Sequence, residues 1–263
     1  MTTILLGTVA LEPNRWGMAE PGAGATIRAS AWLPRIADAG FDGIELWERH
    51  VTEADDVEVE KLLTADVPIE VFNTYVGFDD DAPDKLATAA DWVGRKSAHG
   101  VKYNVGNDPA HEGAYVERVA TWLAAMPPSV RLLCECHVAI SIAEEPAVAA
   151  RMLAAIGPPE RSQAIVHLTS ETHDHIKARF DAYGDRIGHI HLNDPPGWDE
   201  RGAVSLEELQ PELGRKIELL RSYDFAGTWT VEFVKGAMTA DDEPGYLMDR
   251  AAEDIVVLRE LLD

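Results

Sequence analysis

The sequence predicts an α/β protein folded as a single (β/α)8 barrel with a parallel eight-stranded sheet. Three observations carry that expectation. Eight short apolar runs alternate with eight amphipathic stretches from one end of the chain to the other. Stretches of that length suit the crossovers that join parallel neighbouring strands. No Pro/Gly-rich linker or compositional break divides the 263 residues, a length near that of one such barrel, so residues 1–263 are expected to form one domain. A doubly wound open sheet is the competing architecture. Its G-x-G-x-x-G turn after the first strand is missing, since Gly7-Thr8-Val9-Ala10-Leu11 does not match.

Taken in order, the predicted strands are Ile4–Ala10, Gly43–Trp47, Ile69–Asn73, Val101–Val105, Arg131–His137, Ala164–Leu168, Gly188–Leu192 and Thr228–Val234. Predicted helices lie near 27–38, 55–64, 83–97, 113–125, 142–155, 174–183, 205–222 and 244–262. The last shows an apolar stripe in Leu247, Ala251, Ile255, Val256 and Leu258, closed by Leu261 and Leu262. Pro83, and Ser205 followed by Glu207 and Glu208, mark helix starts, while Pro127-Pro128 and Pro158-Pro159 punctuate the approaches to strands five and six.

Composition narrows the partners. Hydrophobic residues make up 46% and charged residues 26%, the balance of an ordinary globular protein. Against 23 Lys+Arg stand 46 Asp+Glu, a formal net charge of −23. Such a surface repels phosphate backbones and anionic membranes, so neither nucleic acid nor membrane is expected as a partner. Cys134 and Cys136 sit two apart on one strand face, which suits a buried packing role in a reducing compartment rather than a disulfide. The N-terminus lacks a basic region followed by a long apolar core, and no run approaches the length of a membrane span, so a cytoplasmic protein is expected.

The chemistry lies in the strand parity. Side chains alternate along a strand, so Ile190 and Leu192 share one face while His189, His191 and Asn193 share the other. Strand five sets Leu133, Glu135 and His137 against Cys134 and Cys136. Strand six sets Ile165, His167 and Thr169 against Val166 and Leu168, and strand eight sets Thr228, Thr230 and Glu232 against Trp229, Val231 and Phe233. Four consecutive strands thus place Glu135, His167, His191 and Glu232 on the polar face near their C-terminal ends, where barrels gather function. Two carboxylates and two imidazoles around a point form a site for a divalent metal ion. A buried Glu–His ion-pair network is the structural alternative. No Gly-x-Ser-x-Gly elbow is present, and neither cysteine shares a face with a histidine.

Five segments carry a resemblance: Gly40-Phe41-Asp42-Gly43-Ile44-Glu45-Leu46-Trp47, Val101-Lys102-Tyr103-Asn104-Val105-Gly106, Cys134-Glu135-Cys136-His137, His189-Ile190-His191-Leu192-Asn193-Asp194 and Val231-Glu232-Phe233. In order and spacing the chain resembles the xylose isomerase-like TIM barrel family of sugar phosphate isomerases and epimerases. That family includes ketose 3-epimerases, hydroxypyruvate isomerase, inosose dehydratase and endonuclease IV. The resemblance implies metal ligands at Glu135, His191 and Glu232. The fourth family ligand is usually an Asp ending strand six, followed three residues later by a His. Here His167 takes the Asp position and Ser170 that of the accompanying His. Glu171 becomes a ligand instead only if the strand register slips.

What the resemblance implies for function is a divalent-metal-dependent isomerase or epimerase of a ketose or related sugar. The ion polarises a carbonyl and adjacent hydroxyl and stabilises the enediolate left when a proton departs, with Glu135 and Glu232 as ligands and acid/base pair. His137 is either an alternative base, suited to elimination, or a residue that orients Glu135. With His167 among the ligands, one divalent metal ion is expected, Mn(2+), Co(2+) or Zn(2+) favoured over Mg(2+). Substrate contacts are expected from Trp47, Lys102, Asn104 and His189 on the inward face or strand ends. Trp16 and Trp47 serve as apolar walls or as core, and Arg201 as a substrate-contacting basic residue or a solvated loop charge. His50, His99, His111, His173 and His175 are read as surface or loop residues.

Two further readings stand beside this one. A lyase on the same scaffold would remove water or an aglycone from a keto-sugar. A non-catalytic subunit would bind a sugar or a partner chain, so homo-oligomers and hetero-subunits are both open. Endonuclease-like repair is disfavoured by the acidic surface and by the missing dense His/Asp/Glu set for several zinc ions.

Overall fold

A computed structural model describes residues 2–79, 83–96, 98–137, 140–192 and 203–263. Eight parallel strands close into a barrel in sequence order. They are β1 (Ile4–Gly7), β2 (Gly43–Trp47), β3 (Ile69–Asn73), β4 (Gly100–Tyr103), β5 (Arg131–Glu135), β6 (Ser162–His167), β7 (Ile187–Leu192) and β8 (Thr228–Val231). Helices α1 (Leu33–Asp38), α2 (Arg49–Thr52), α3 (Asp56–Thr64), α4 (Pro83–Lys96), α5 (Glu112–Ala125), α6 (Pro146–Ile156), α7 (His173–Tyr183), α8 (Leu206–Ser222) and α9 (Pro244–Leu262) lie in the connections and after β8. None of the described helices is long and apolar enough to cross a membrane.

Strand parity divides the core in two. Ile44, Leu46, Cys134, Val166, Ile190 and Val231 point outwards into one large apolar cluster shared with the helices. Leu5, Val71, Leu133 and Ile165 point inwards and form a separate small cluster inside the barrel. Leu133 fills that layer across Gly100, where a Cβ would stand 2.8 Å from Leu133 Cδ1. Both cysteines are free and buried on the outward face. On α9, Leu247, Ala251, Ile255 and Leu258 are buried as the periodicity predicts, but Val256 is 54% exposed and lies off the stripe.

Proline explains where helix starts differ from the sequence expectation. The stretch near 142–155 is a short 3-10 turn, Ile142–Glu144, followed by α6 from Pro146. The stretch near 27–38 is a 3-10 turn, Ala29–Ala31, before α1, which carries Pro34 in its first turn. Proline lacks an N–H and fits the first turn of a helix, not its interior. Strands β1, β5 and β8 end two or three residues earlier than expected, at Gly7, Glu135 and Val231. The polar residues of interest therefore stand at the last ladder positions or just beyond them.

Candidate active site

At the C-terminal mouth, Glu135 is the last residue of β5 and His167 the last of β6. His167 pairs in register with His191 of β7, which in turn pairs with Thr230 of β8. Glu232 follows β8 directly, its backbone N–H bonded to Leu192 O at 3.0 Å. The ladder thus brings four buried side chains to one spot. His167 Nε2 lies 3.3 Å from Glu135 Oε1, and His191 Nδ1 lies 3.0 Å from Glu232 Oε2. One donor atom from each of the four falls within 4.8 Å of the others. Ligands around one ion at about 2.1 Å stand some 3–4 Å apart, so this donor set fits a single divalent cation.

The same residues rest on a charged substructure. Lys102 Nζ, fully buried, lies 2.7 Å from Glu135 Oε2 and 4.4 Å from the centre of the Tyr75 ring. Burial works against the Glu135 charge, but Lys102, then His167 and His191, hold the carboxyl well below its usual range. Burial likewise opposes the Lys102 ammonium, and Glu135 more than offsets it. Each sustains the other's charge.

Deeper in the barrel sits Glu45, wholly buried on β2. Asn73 Nδ2 donates to its Oε1 at 2.6 Å, and Thr230 Oγ1 donates to its Oε2 at 2.9 Å. His191 Nε2 and His189 Nε2 approach Oε2 at 3.1 and 3.2 Å. Burial opposes this charge too, and His191 and His189 overcome it, so Glu45 stays anionic. His189, by contrast, is pushed down to about 4 by burial, against the pull of Glu45, and is neutral at physiological pH.

Above the four side chains opens a pocket of about 380 Å³, a small-molecule size. Its floor carries Glu135, His137, His167 and Glu232, and its walls Trp16, Met18, Tyr75, Ile140 and Phe233. A larger cavity of about 640 Å³ lies at the opposite end of the barrel, around Arg131, Gln163, Tyr223 and Phe225. It lies among residues that begin the strands, away from the strand ends where barrel chemistry is placed.

The structure brings Glu135, His137, His167, His191 and Glu232 together. It sets the expected substrate contacts elsewhere. Trp47 is fully buried, its ring edge-on to His50, and does not line the pocket; Trp16 is the tryptophan that does. Lys102 lies behind Glu135, and His189 beneath His191. Asn104 is half-buried beyond β4, with its N–H on Val76 O at 2.9 Å. Arg201, with Asn193 and Asp194, lies outside the described residues. Glu171 is not drawn into the site, because Arg179 Nε holds it at 2.5 Å and His175 at 3.1 Å. Tyr75 and Phe233 were not singled out by sequence. Tyr75 was reachable, since the inward parity of Val71 and Asn73 extends to it. Phe233 was not, because parity assigns it to the outward face with Trp229 and Val231, and it packs in the outer cluster as well as lining the pocket.

His50 corrects the reading of it as a surface or loop residue. It is buried, with Nδ1 at 2.9 Å from Thr8 Oγ1 and Nε2 at 3.2 Å from Glu12 Oε2. The one-turn helix α2, too short to leave a periodic signal, turns it inwards. Glu12 is the hub of the loop that carries Trp16. It accepts from the N–H groups of Asn14, Thr26 and Ile27 at 2.8, 2.9 and 3.1 Å, and from Thr26 Oγ1 at 2.6 Å. Burial alone would raise its pKa, but the bonds from His50, Thr26, Ile27 and Asn14 bring it down to about 2. A depressed carboxyl stabilises the fold above its unfolded value and loses that contribution as pH falls through the folded one. We expect Glu12 to contribute about 2 kcal/mol at neutral pH after discounting for screening. Glu12→Gln should flatten the stability profile between pH 4.5 and 2, read by denaturant melts; an unchanged slope there would rule the contribution out.

No protein-family model and no curated protein matches the sequence. Solved structures do. The chain is similar to 3-keto-D-glucoside 4-epimerase, YcjR, from E. coli, at 15% identity and a TM-score of 0.63, over 97% of this chain and 100% of that one. It is also similar to endonuclease IV from Thermus thermophilus, at 14% identity and a TM-score of 0.61, over 89% and 93%. At these identities the likeness is one of fold. Both likenesses span nearly the whole barrel, in agreement with the fold that the sequence predicts.

Proposed function

We propose that the protein is a divalent-metal-dependent isomerase or epimerase acting on a ketose or related sugar. The observation that carries this reading is the buried group Glu135, His167, His191 and Glu232, with donor atoms within 4.8 Å, at the floor of a pocket. A divalent cation there supplies Lewis-acid polarisation of a sugar carbonyl and its neighbouring hydroxyl. The chain's own residues do the rest. Glu135 and Glu232 come from different strands and meet a bound sugar from different sides. One takes a proton from the carbon beside the carbonyl. Delivering it to the former carbonyl carbon, while the neighbouring hydroxyl gives its proton to the old carbonyl oxygen, isomerises; returning a proton to the same carbon from the other face epimerises. Trp16, Tyr75 and Phe233 limit water at the reacting carbon. Metal analysis followed by a keto-sugar screen in deuterated water tests the reading, with solvent deuterium expected at carbon. Protein that holds no metal and exchanges no substrate hydrogen would end it.

A second reading rests on His137, which lines the same floor with its ring 4.9 Å edge-on from that of His167. A further base near the carboxylates suits β-elimination of water or an aglycone from a keto-sugar. An α,β-unsaturated product, seen by its ultraviolet absorbance, separates the two.

The ligand set also supports a metal preference. Two carboxylates and two imidazoles give a summed ligand charge of −2 with His neutral. Magnesium prefers oxygen and dehydrates reluctantly, whereas manganese, cobalt and zinc accept imidazole. Metal-stripped protein should regain activity with Mn(2+), Co(2+) or Zn(2+) ahead of Mg(2+). His167→Asp should move the preference back towards magnesium or manganese. Full recovery of the parent protein by magnesium alone would overturn this.

A further inference from the structure

Among the described residues, the charged and imidazole groups of the pocket lie on its floor, and the side chains above them are aromatic or aliphatic, with the Tyr75 hydroxyl and the Trp16 indole N–H as their polar atoms. Strand order makes the walls face one another. Trp16 and Met18 follow β1 and Ile140 follows β5, and these strands are four apart in either direction round the closed barrel. Five large apolar side chains are exposed among the described residues: Trp16 at 36%, Met18 at 60%, Val57 at 60%, Ile140 at 46% and Val256 at 54%. Three of them line this one pocket, which scattered surface apolar residues would not do.

This rim is built. Trp16 adopts the left-handed region at φ 52°, a conformation that costs a non-glycine residue about 1 kcal/mol or more. Its neighbour Arg15 is buried and ties the loop to the stretch after β8, the strand that pairs with β1. Arg15 donates to both carboxylate oxygens of Asp242, at 2.9 and 2.7 Å, and to the carbonyls of Val9 and Ala10. The Trp16 ring then meets Tyr75 edge-on at 6.4 Å and Phe233 at 6.0 Å. Aromatic rings can stack on the C–H face of a sugar. Met18 and Ile140 offer neither a donor nor a π-face, and sugar hydroxyls placed against them would lose water without a replacement partner.

We propose that the substrate is a glycoside of a keto-sugar, whose ring, carrying the carbonyl, rests on the carboxylate and imidazole floor and whose aromatic aglycone lies between Trp16, Met18 and Ile140. The inference rests on the reading of the floor as a sugar site, and its test uses binding rather than turnover. Titration calorimetry with methyl and phenyl D-glucosides, in both anomeric forms, compares ligands that differ only in the aglycone. In one anomeric series the phenyl glucoside should bind at least about tenfold more tightly, as expected for burial of one ring's apolar surface. The doubly substituted Met18→Asn, Ile140→Asn protein should bring the two affinities to within about threefold. Equal affinities in the parent protein, no binding of either glucoside, or a ratio unchanged by the double substitution would each overturn the proposal. Turnover that survives Glu135→Gln would instead remove the proposed chemistry and leave the phenyl preference standing.

Discussion

Glu135→Gln and Glu232→Gln are each expected to lower turnover at least about a thousandfold. Each removes a proton acceptor, worth about 10²–10⁴ in general acid–base catalysis, and a negative ligand from the same cluster. The two variants should differ in stability. Glu135 is the counter-charge of the wholly buried Lys102 at 2.7 Å, and removing one partner of a buried pair strands the other at a cost of about 3–5 kcal/mol. Glu135→Gln should therefore melt earlier, and adding Lys102→Met should recover much of the loss without recovering turnover. Activity within tenfold of the parent protein in either single variant, with the metal content measured, would remove that carboxylate from the chemistry.

The residues behind that prediction were legible because strand alternation is a local property. Glu135, His167, His191 and Glu232 fall on the face opposite Cys134, Val166, Ile190 and Val231 by counting alone, and the large outer and small inner apolar clusters obey that count. The same count, carried two residues past β3, reaches Tyr75. What counting cannot reach depends on the chain closing on itself. Glu45 matters because β2, β7 and β8 each send a side chain to one interior point, a meeting that no local pattern encodes. Trp16 depends on a left-handed backbone residue and on Arg15 reaching Asp242, 227 residues away. Trp47, on the strand's inward face by parity, is roofed by the Thr8 and His50 contacts and never reaches the pocket.

The interior meeting at Glu45 predicts an effect on the site from a residue that does not line it. His191 presents two nitrogens to two carboxylates, Nε2 to Glu45 at 3.1 Å and Nδ1 to Glu232 at 3.0 Å. Flanked by both carboxylates the imidazole is held protonated; an ion bound at the cluster would displace the Nδ1 proton, while the Nε2–H stays on Glu45. An acidic partner on the far nitrogen of a ligating imidazole fixes its tautomer and raises its basicity, and losing such a partner costs about 10–100-fold in metal affinity. Glu45→Gln is thus expected to weaken manganese or zinc binding by about that factor in a chelator competition, with little change in the pocket. Glu45→Leu goes further, because it also leaves Asn73, Thr230 and His189 without their shared acceptor inside the barrel. It should destabilise the fold by about 3 kcal/mol or more. Asn73→Ala, which removes one donor to Glu45 and leaves the His191 contact in place, should affect metal binding far less than either. Parent-like metal affinity in Glu45→Gln would show that His191 is positioned by its own strand alone.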